Sequence, residues 1–222
     1  MRNYKRITLL CGHYGSGKTN VAVNMAFDLK TEESNVALAD LDIVNPYFRA
    51  KDSRDELANA GIRLICSEYA NSNVDIPALP QDMYAISDDK SLHCILDIGG
   101  DDRGALALGR LAPAILAEND YEMLMVINAS RPLTRDAAST IEVMREIETA
   151  GGIRFTGLVN NTNLGAETTA EDILASLPYA EEVSRLSGLP IVATSVRADL
   201  TKALEGKVEN IFPLTLQKHK NL

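Results

Sequence analysis

Short continuous runs of aliphatic residues recur along this chain, separated by longer stretches whose apolar positions return every three or four residues. The runs fall at residues 7–11, 36–39, 62–66, 92–96, 123–127, 155–159 and 191–193. They are continuous rather than alternating, the pattern of strands buried on both faces of a parallel sheet. One intervening helix starts inside a glycine-rich loop and runs through Val21, Val23, Met25 and Ala26. Another carries Leu133, Ala137, Ile141, Met144 and Ile147, and a third opens on the pattern Thr168-x-x-Glu171, a capping box that satisfies the first amides of a helix. The alternation predicts an α/β fold: a three-layer, doubly wound, mostly parallel sheet with helices on both faces. No repeat, low-complexity tract or linker interrupts it, so residues 1–222 read as a single domain. Ligands of such sheets bind at the carboxyl ends of the strands.

Composition narrows the function. With 45% apolar and 24% charged residues among 222, a sizeable core is available, and with 5% aromatics and no Trp it is aliphatic. A net charge of −9 argues against an extended nucleic-acid surface, which needs clustered Lys and Arg. Cys11, Cys66 and Cys94 lack metal-site spacing; Cys11 and Cys94, within apolar runs, read as small buried hydrophobes, and a reducing compartment fits. The apolar run after Arg2, Lys5 and Arg6 is too short for a signal peptide, and no stretch approaches the ~20 residues of a membrane span. The tail of residues 211–222 is short and interrupted by Pro213, which argues against a membrane-anchoring amphipathic helix. A cytoplasmic protein is expected.

Against this background the segment Gly12-His13-Tyr14-Gly15-Ser16-Gly17-Lys18-Thr19 carries specific chemistry. It follows an apolar strand, opens a helix and has the form G-x-x-x-x-G-K-T. Glycines let backbone amides close around phosphate oxygens, and the helix N-terminus adds the positive end of its dipole. Lys18 is expected on the β- and γ-phosphates and the Thr19 hydroxyl on Mg²⁺. Two acidic strand ends supply what such a loop needs besides. Asp40 and Asp42 end the second run, and Asp97 ends the fourth before Gly99, Gly100, Asp101 and Asp102. Asp97 is placed as a Walker B aspartate toward Mg²⁺, Asp40 as a supporting carboxylate, and either Asp42 or Asp101 as the group that positions the attacking water. Gly99 and Gly100 are candidate hinges toward the γ-phosphate.

With these motifs the chain resembles the ParA/MinD/nitrogenase-iron-protein branch of P-loop NTPases, the CobQ/CobB/MinD/ParA nucleotide-binding domain, from Lys5 to about Val196. The resemblance implies the P-loop NTPase fold, Asp40-Leu41-Asp42 as a first switch and Asp97-Ile98-Gly99-Gly100-Asp101 as a second. It implies ATP with Mg²⁺ as cofactors, and Asn161 in Gly157-Leu158-Val159-Asn160-Asn161 as reader of the adenine edge, with Asn160 as the alternative reader. Many members of the branch carry a second lysine one residue after the first loop glycine, which crosses to the partner chain in a nucleotide sandwich. His13 stands there, so a homodimer of that kind is an open question. The paired cysteines of the iron–sulfur version are missing, because no cysteine follows Asp101.

The function so implied is a Mg²⁺-dependent ATPase of low intrinsic turnover, acting as a switch on a protein partner. The segment Val44-Asn45-Pro46-Tyr47-Phe48-Arg49 adjoins Asp42 and, with residues 97–102, is the expected partner contact. Relatives of the dethiobiotin-synthetase type offer the alternative of a ligase that activates a substrate carboxylate with ATP.

Overall fold

In the computed structural model, residues 2–41, 53–66, 83–100 and 102–217 are described. They form β1 (Ile7–Cys11), α1 (Lys18–Lys30), β2 (Val36–Leu41), α2 (Arg54–Asn59), β3 (Ile62–Cys66), α3 (Tyr84–Asp88), β4 (His93–Ile98) and α4 (Asp102–Glu118). There follow β5 (Tyr121–Ile127), α5 (Ala137–Gly151), β6 (Gly157–Asn160), α6 (Ala170–Ser187), β7 (Ile191–Arg197), α7 (Thr201–Leu204) and β8 (Ile211–Leu214). All strand pairings are parallel, in the order β3-β2-β4-β1-β5-β6-β7-β8.

The doubly wound prediction holds, and the period of the strands explains it. Successive side chains point to opposite faces. Leu10, Leu38, Ile95, Leu124 and Val126 pack with Val21, Met25 and Leu29 of α1 on one face. Leu9, Ala39, Leu96 and Met125 pack with Leu108 and Leu111 of α4 and Ile141 and Met144 of α5 on the other. Because both faces are covered, β1 and β2 are buried at every position.

Two local expectations are corrected, and one strand is added. The cap of α6 is Thr169, which exchanges hydrogen bonds with Asp172, whereas Thr168 bonds to Leu164 and Gly165 in the preceding loop. Leu133 is 58% exposed in a 3₁₀ turn ahead of α5 instead of on its buried face. Residues 211–214 form an edge strand, β8, where Pro213 is tolerated because an edge leaves one row of amides unpaired. The chain beyond β8 lies along α1: Asn24 exchanges two hydrogen bonds with the Thr215 backbone, and Gln217 reaches Asn20 and Ser53. Among the described residues no helix is long and apolar enough to cross a membrane.

Candidate functional site

The loop of residues 12–17 leaves β1 at the middle of the sheet and delivers Lys18 to the first turn of α1. Gly17, the N-cap of α1, has φ 88°, and a Cβ there would lie 2.4 Å from Asn161 Nδ2. Glycine is thus required both by conformation and by space. The caps of α5 and α6 are Asp136 and Thr169, whose side chains accept from the helix amides. Among the described residues no side chain caps α1, and no acidic residue lies in its first turn, so its first amides are left to the loop. Lys18 is buried, with Nζ 3.5 Å from the His13 carbonyl. The loop is closed by Ser16 N–H donating to His13 O at 3.1 Å. His13 turns its Nδ1 to the Tyr14 carbonyl at 2.9 Å, and the Tyr14 ring is largely exposed. Ser16 Oγ is buried with no hydrogen-bond partner among the described residues.

The acidic side of the site lies on the adjoining strands. Thr19 Oγ1 donates to Asp97 Oδ2 at 2.6 Å, and Asp97 is 0% exposed. Asp40 and Asp97 are register partners on β2 and β4, and strand periodicity puts both on the α1 face with Leu38 and Ile95. Lys18, Thr19, Asp40 and Asp97 are thereby gathered at one corner. A hydroxyl beside two buried carboxylates is the hard-oxygen donor set that suits Mg²⁺. Gly100 brings the end of this strand against the phosphate loop, since a Cβ on it would stand 2.6 Å from Gly12 O and 2.8 Å from Tyr14 N. Its small size therefore serves close backbone approach. Asp42, Asp101 and the segment from Val44 to Arg49 lie outside the described residues.

Of the two asparagines ending β6, the structure brings Asn161 to the loop and turns Asn160 away. Asn160 Nδ2 donates to Ser176 Oγ of α6 at 2.9 Å, while Asn161 Nδ2 donates to the Ser16 carbonyl at 2.7 Å. A carbonyl only accepts, so this bond fixes which way the Asn161 amide faces. Its Oδ1 is buried without a partner among the described residues. Three residues on, Leu164 is 50% exposed. Arg197, at the end of β7, ties the two neighbouring loops together through the Ala166 carbonyl at 2.5 Å.

The cysteines take no part in the phosphate site. Burial pushes the Cys94 thiol up to about 12 and raises Cys11 as well, so both stay protonated as inert core residues. Cys66 ends β3, where Arg54 Nη2 lies 3.6 Å from its sulfur.

One residue escaped the sequence reading. Arg131, from the loop between β5 and α5, donates through Nε to the Gly15 carbonyl at 2.6 Å. The only cue to it was indirect: its loop follows β5, the neighbour of β1, and so ends on the same edge of the sheet as the glycine loop.

Residues 7–191 match the CobQ/CobB/MinD/ParA nucleotide binding domain. No curated protein sequence matches the chain. Among solved structures, cell division protein FtsY from Thermotoga maritima superposes with a TM-score of 0.59 and 17% identity, over 88% of this chain and 62% of that one. FtsY from Mycoplasma mycoides gives 0.55 and 18%, over 88% and 61%. FlhF complexed with GTP/Mg²⁺ gives 0.51 and 14%, over 85% and 64%. At these identities the likeness is one of fold, and the chain spans less than two thirds of the length of each of these structures. The family match runs from β1 to the start of β7 and so takes in the glycine loop, Asp40, Asp97 and Asn161; the chain belongs to the CobQ/CobB/MinD/ParA nucleotide-binding domain family, a P-loop branch.

Proposed function

We propose that this chain is a Mg²⁺-dependent ATPase whose hydrolytic cycle switches its affinity for a protein partner. The observation that carries the catalytic part is the 2.6 Å bond from Thr19 to the fully buried Asp97, with Asp40 alongside, at the mouth of the glycine loop. A magnesium ion bound by Thr19 and these carboxylates would share the charge of the β- and γ-phosphates. Lys18 would neutralise the same oxygens from the loop side, and the amides of the loop and of the first turn of α1 would hold the phosphates in place for in-line attack by water. Asp42 or Asp101 would orient that water.

The preference for adenine rests on Asn161. Its buried acceptor left over, Oδ1, would match the exocyclic amino group of adenine and would repel the carbonyl oxygen that guanine carries at the same position. Leu164 offers apolar surface where a guanine reader would need a carboxylate for the ring N–H groups. Asn161 is only 2% exposed, so contact with a base would require groups around it to move. The switch part rests on Gly100, whose contact with the loop backbone links phosphate occupancy to the segment bearing Asp101.

Calorimetric titration of the purified protein with ATP, GTP and ADP, with and without Mg²⁺, together with phosphate release, tests the reading. Expected are Mg²⁺-dependent ATP binding at least tenfold tighter than GTP, slow phosphate release, and loss of binding in Lys18→Ala. Equal affinity for GTP would remove the adenine assignment. Absence of binding to any nucleotide would remove the function.

A further inference from the structure

The half-buried arginines Arg2 and Arg197 are each paired with a carboxylate, Glu122 and Asp199. Arg131, also half-buried, has none: among the described residues the one hydrogen bond of its guanidinium goes to the Gly15 carbonyl, and both Nη groups are left over. Its loop is built to hold it there. Arg131 N–H and Thr134 Oγ1 both donate to the Asn128 carbonyl, Ser130 N–H donates to Asn128 Oδ1, and Ala129 N–H to Thr162 Oγ1. Pro132 follows and restricts Arg131 to the extended backbone it adopts, φ −113° and ψ 136°.

The consequence lies in the peptide plane. In a trans peptide the carbonyl oxygen and the next amide hydrogen point to opposite sides. Arg131 holds the Gly15 carbonyl on one side of its peptide, which turns the Ser16 amide to the other, where it makes the loop-closing bond to His13 O. Asn161 holds the next carbonyl, that of Ser16, and so turns the Gly17 amide to the side away from Asn161. Two side chains from two different loops thus hold two consecutive peptide planes of the phosphate loop.

We propose that Arg131 is a positioning residue for nucleotide binding: by holding the Gly15 carbonyl it sets the phosphate loop in its binding shape before the nucleotide arrives. The inference rests on the loop being the nucleotide site. It assigns to Arg131 a role in affinity and not in the chemical step, because a preset loop serves ADP and ATP alike.

The test compares wild type, Arg131→Ala, Arg131→Lys and Lys18→Ala. The readouts are Kd for Mg·ADP and for a non-hydrolysable Mg·ATP analogue, kcat at saturating ATP, and amide exchange of residues 13–18 in nucleotide-free protein. Loss of one charge-assisted bond predicts an affinity about tenfold to a hundredfold weaker in Arg131→Ala, by similar factors for both nucleotides. Exchange in the loop should be faster, kcat within about threefold of wild type, and Arg131→Lys should recover part of the affinity. A loss confined to kcat, or to the ATP analogue, would make Arg131 a transition-state or γ-phosphate cation and overturn the proposal. Unchanged affinity in Arg131→Ala would overturn it as well. If Arg131→Ala fails to fold, Arg131→Lys gives the same split between affinity and turnover. Wild type that binds no nucleotide, or Lys18→Ala that binds normally, would instead sink the function proposed above.

Discussion

Gly17→Ala probes the junction between loop, helix and β6 in a quantity the structure sets. The φ of 88° is left-handed, and placing an L residue there costs ~1–2 kcal/mol. The new Cβ would stand 2.4 Å from Asn161 Nδ2, whereas non-bonded heavy atoms settle near ~3.5 Å. The Asn161 amide therefore withdraws by about 1 Å, and its 2.7 Å bond to the Ser16 carbonyl breaks. Stranding those two buried groups costs a further ~1–3 kcal/mol. The combined penalty is about 3 kcal/mol, shared between unfolding free energy and nucleotide affinity according to how far the loop relaxes. In an Asn161→Ala background the overlap and the bond are both gone, so Gly17→Ala should cost only the backbone part. Urea unfolding and calorimetric Kd for Mg·ATP, measured on wild type, both single variants and the double variant, give the summed loss for each. A coupling of ~1–3 kcal/mol is expected. Additivity within ~0.5 kcal/mol would show that Gly17 and Asn161 do not meet as described and would refute the reasoning.

Other perturbations have equally definite outcomes. Asp97→Asn keeps an acceptor for Thr19 but removes a charge, so the fold should persist while the thermal stabilisation by Mg²⁺ with ATP disappears; a melting shift equal to that of wild type would exclude Asp97 from the metal corner. Hydrogen bonding from Arg6 holds the Glu118 carboxyl below its usual range. A depressed folded value contributes stability above the unfolded pKa of ~4.3 and loses it as pH falls through the folded one. The acid limb of the urea midpoint should accordingly flatten in Glu118→Gln, measured from about pH 5 downward. Asn24→Ala removes the pair of bonds to the Thr215 backbone, and should lower stability by ~1 kcal/mol and speed amide exchange at Thr215.

Much of this protein was legible in one dimension because its chemistry is local there. Residues 12–19 are consecutive, so their glycines, Lys18 and Thr19 declare a loop whose own amides do the binding. Continuous apolar runs declare a sheet covered on both faces, and in a parallel sheet all carboxyl ends share one edge, which is the physical reason the strand-end carboxylates Asp97 and Asp40 fall on the edge that carries Thr19. Tertiary structure decided what local pattern leaves degenerate. Thr168-x-x-Glu171 and Thr169-x-x-Asp172 are the same signal shifted by one, and the loop contacts of Thr168 select the second as the cap. Asn160 and Asn161 differ only in the face toward which β6 turns them. A four-residue strand with a proline carries no readable period, and only its place at the sheet edge makes β8 possible. Arg131 lies 116 positions from the carbonyl it holds, and that contact exists only because β5 pairs with β1 and their following loops emerge side by side. Covalent neighbours wrote the phosphate loop; strand pairing chose the side chains that keep it in shape.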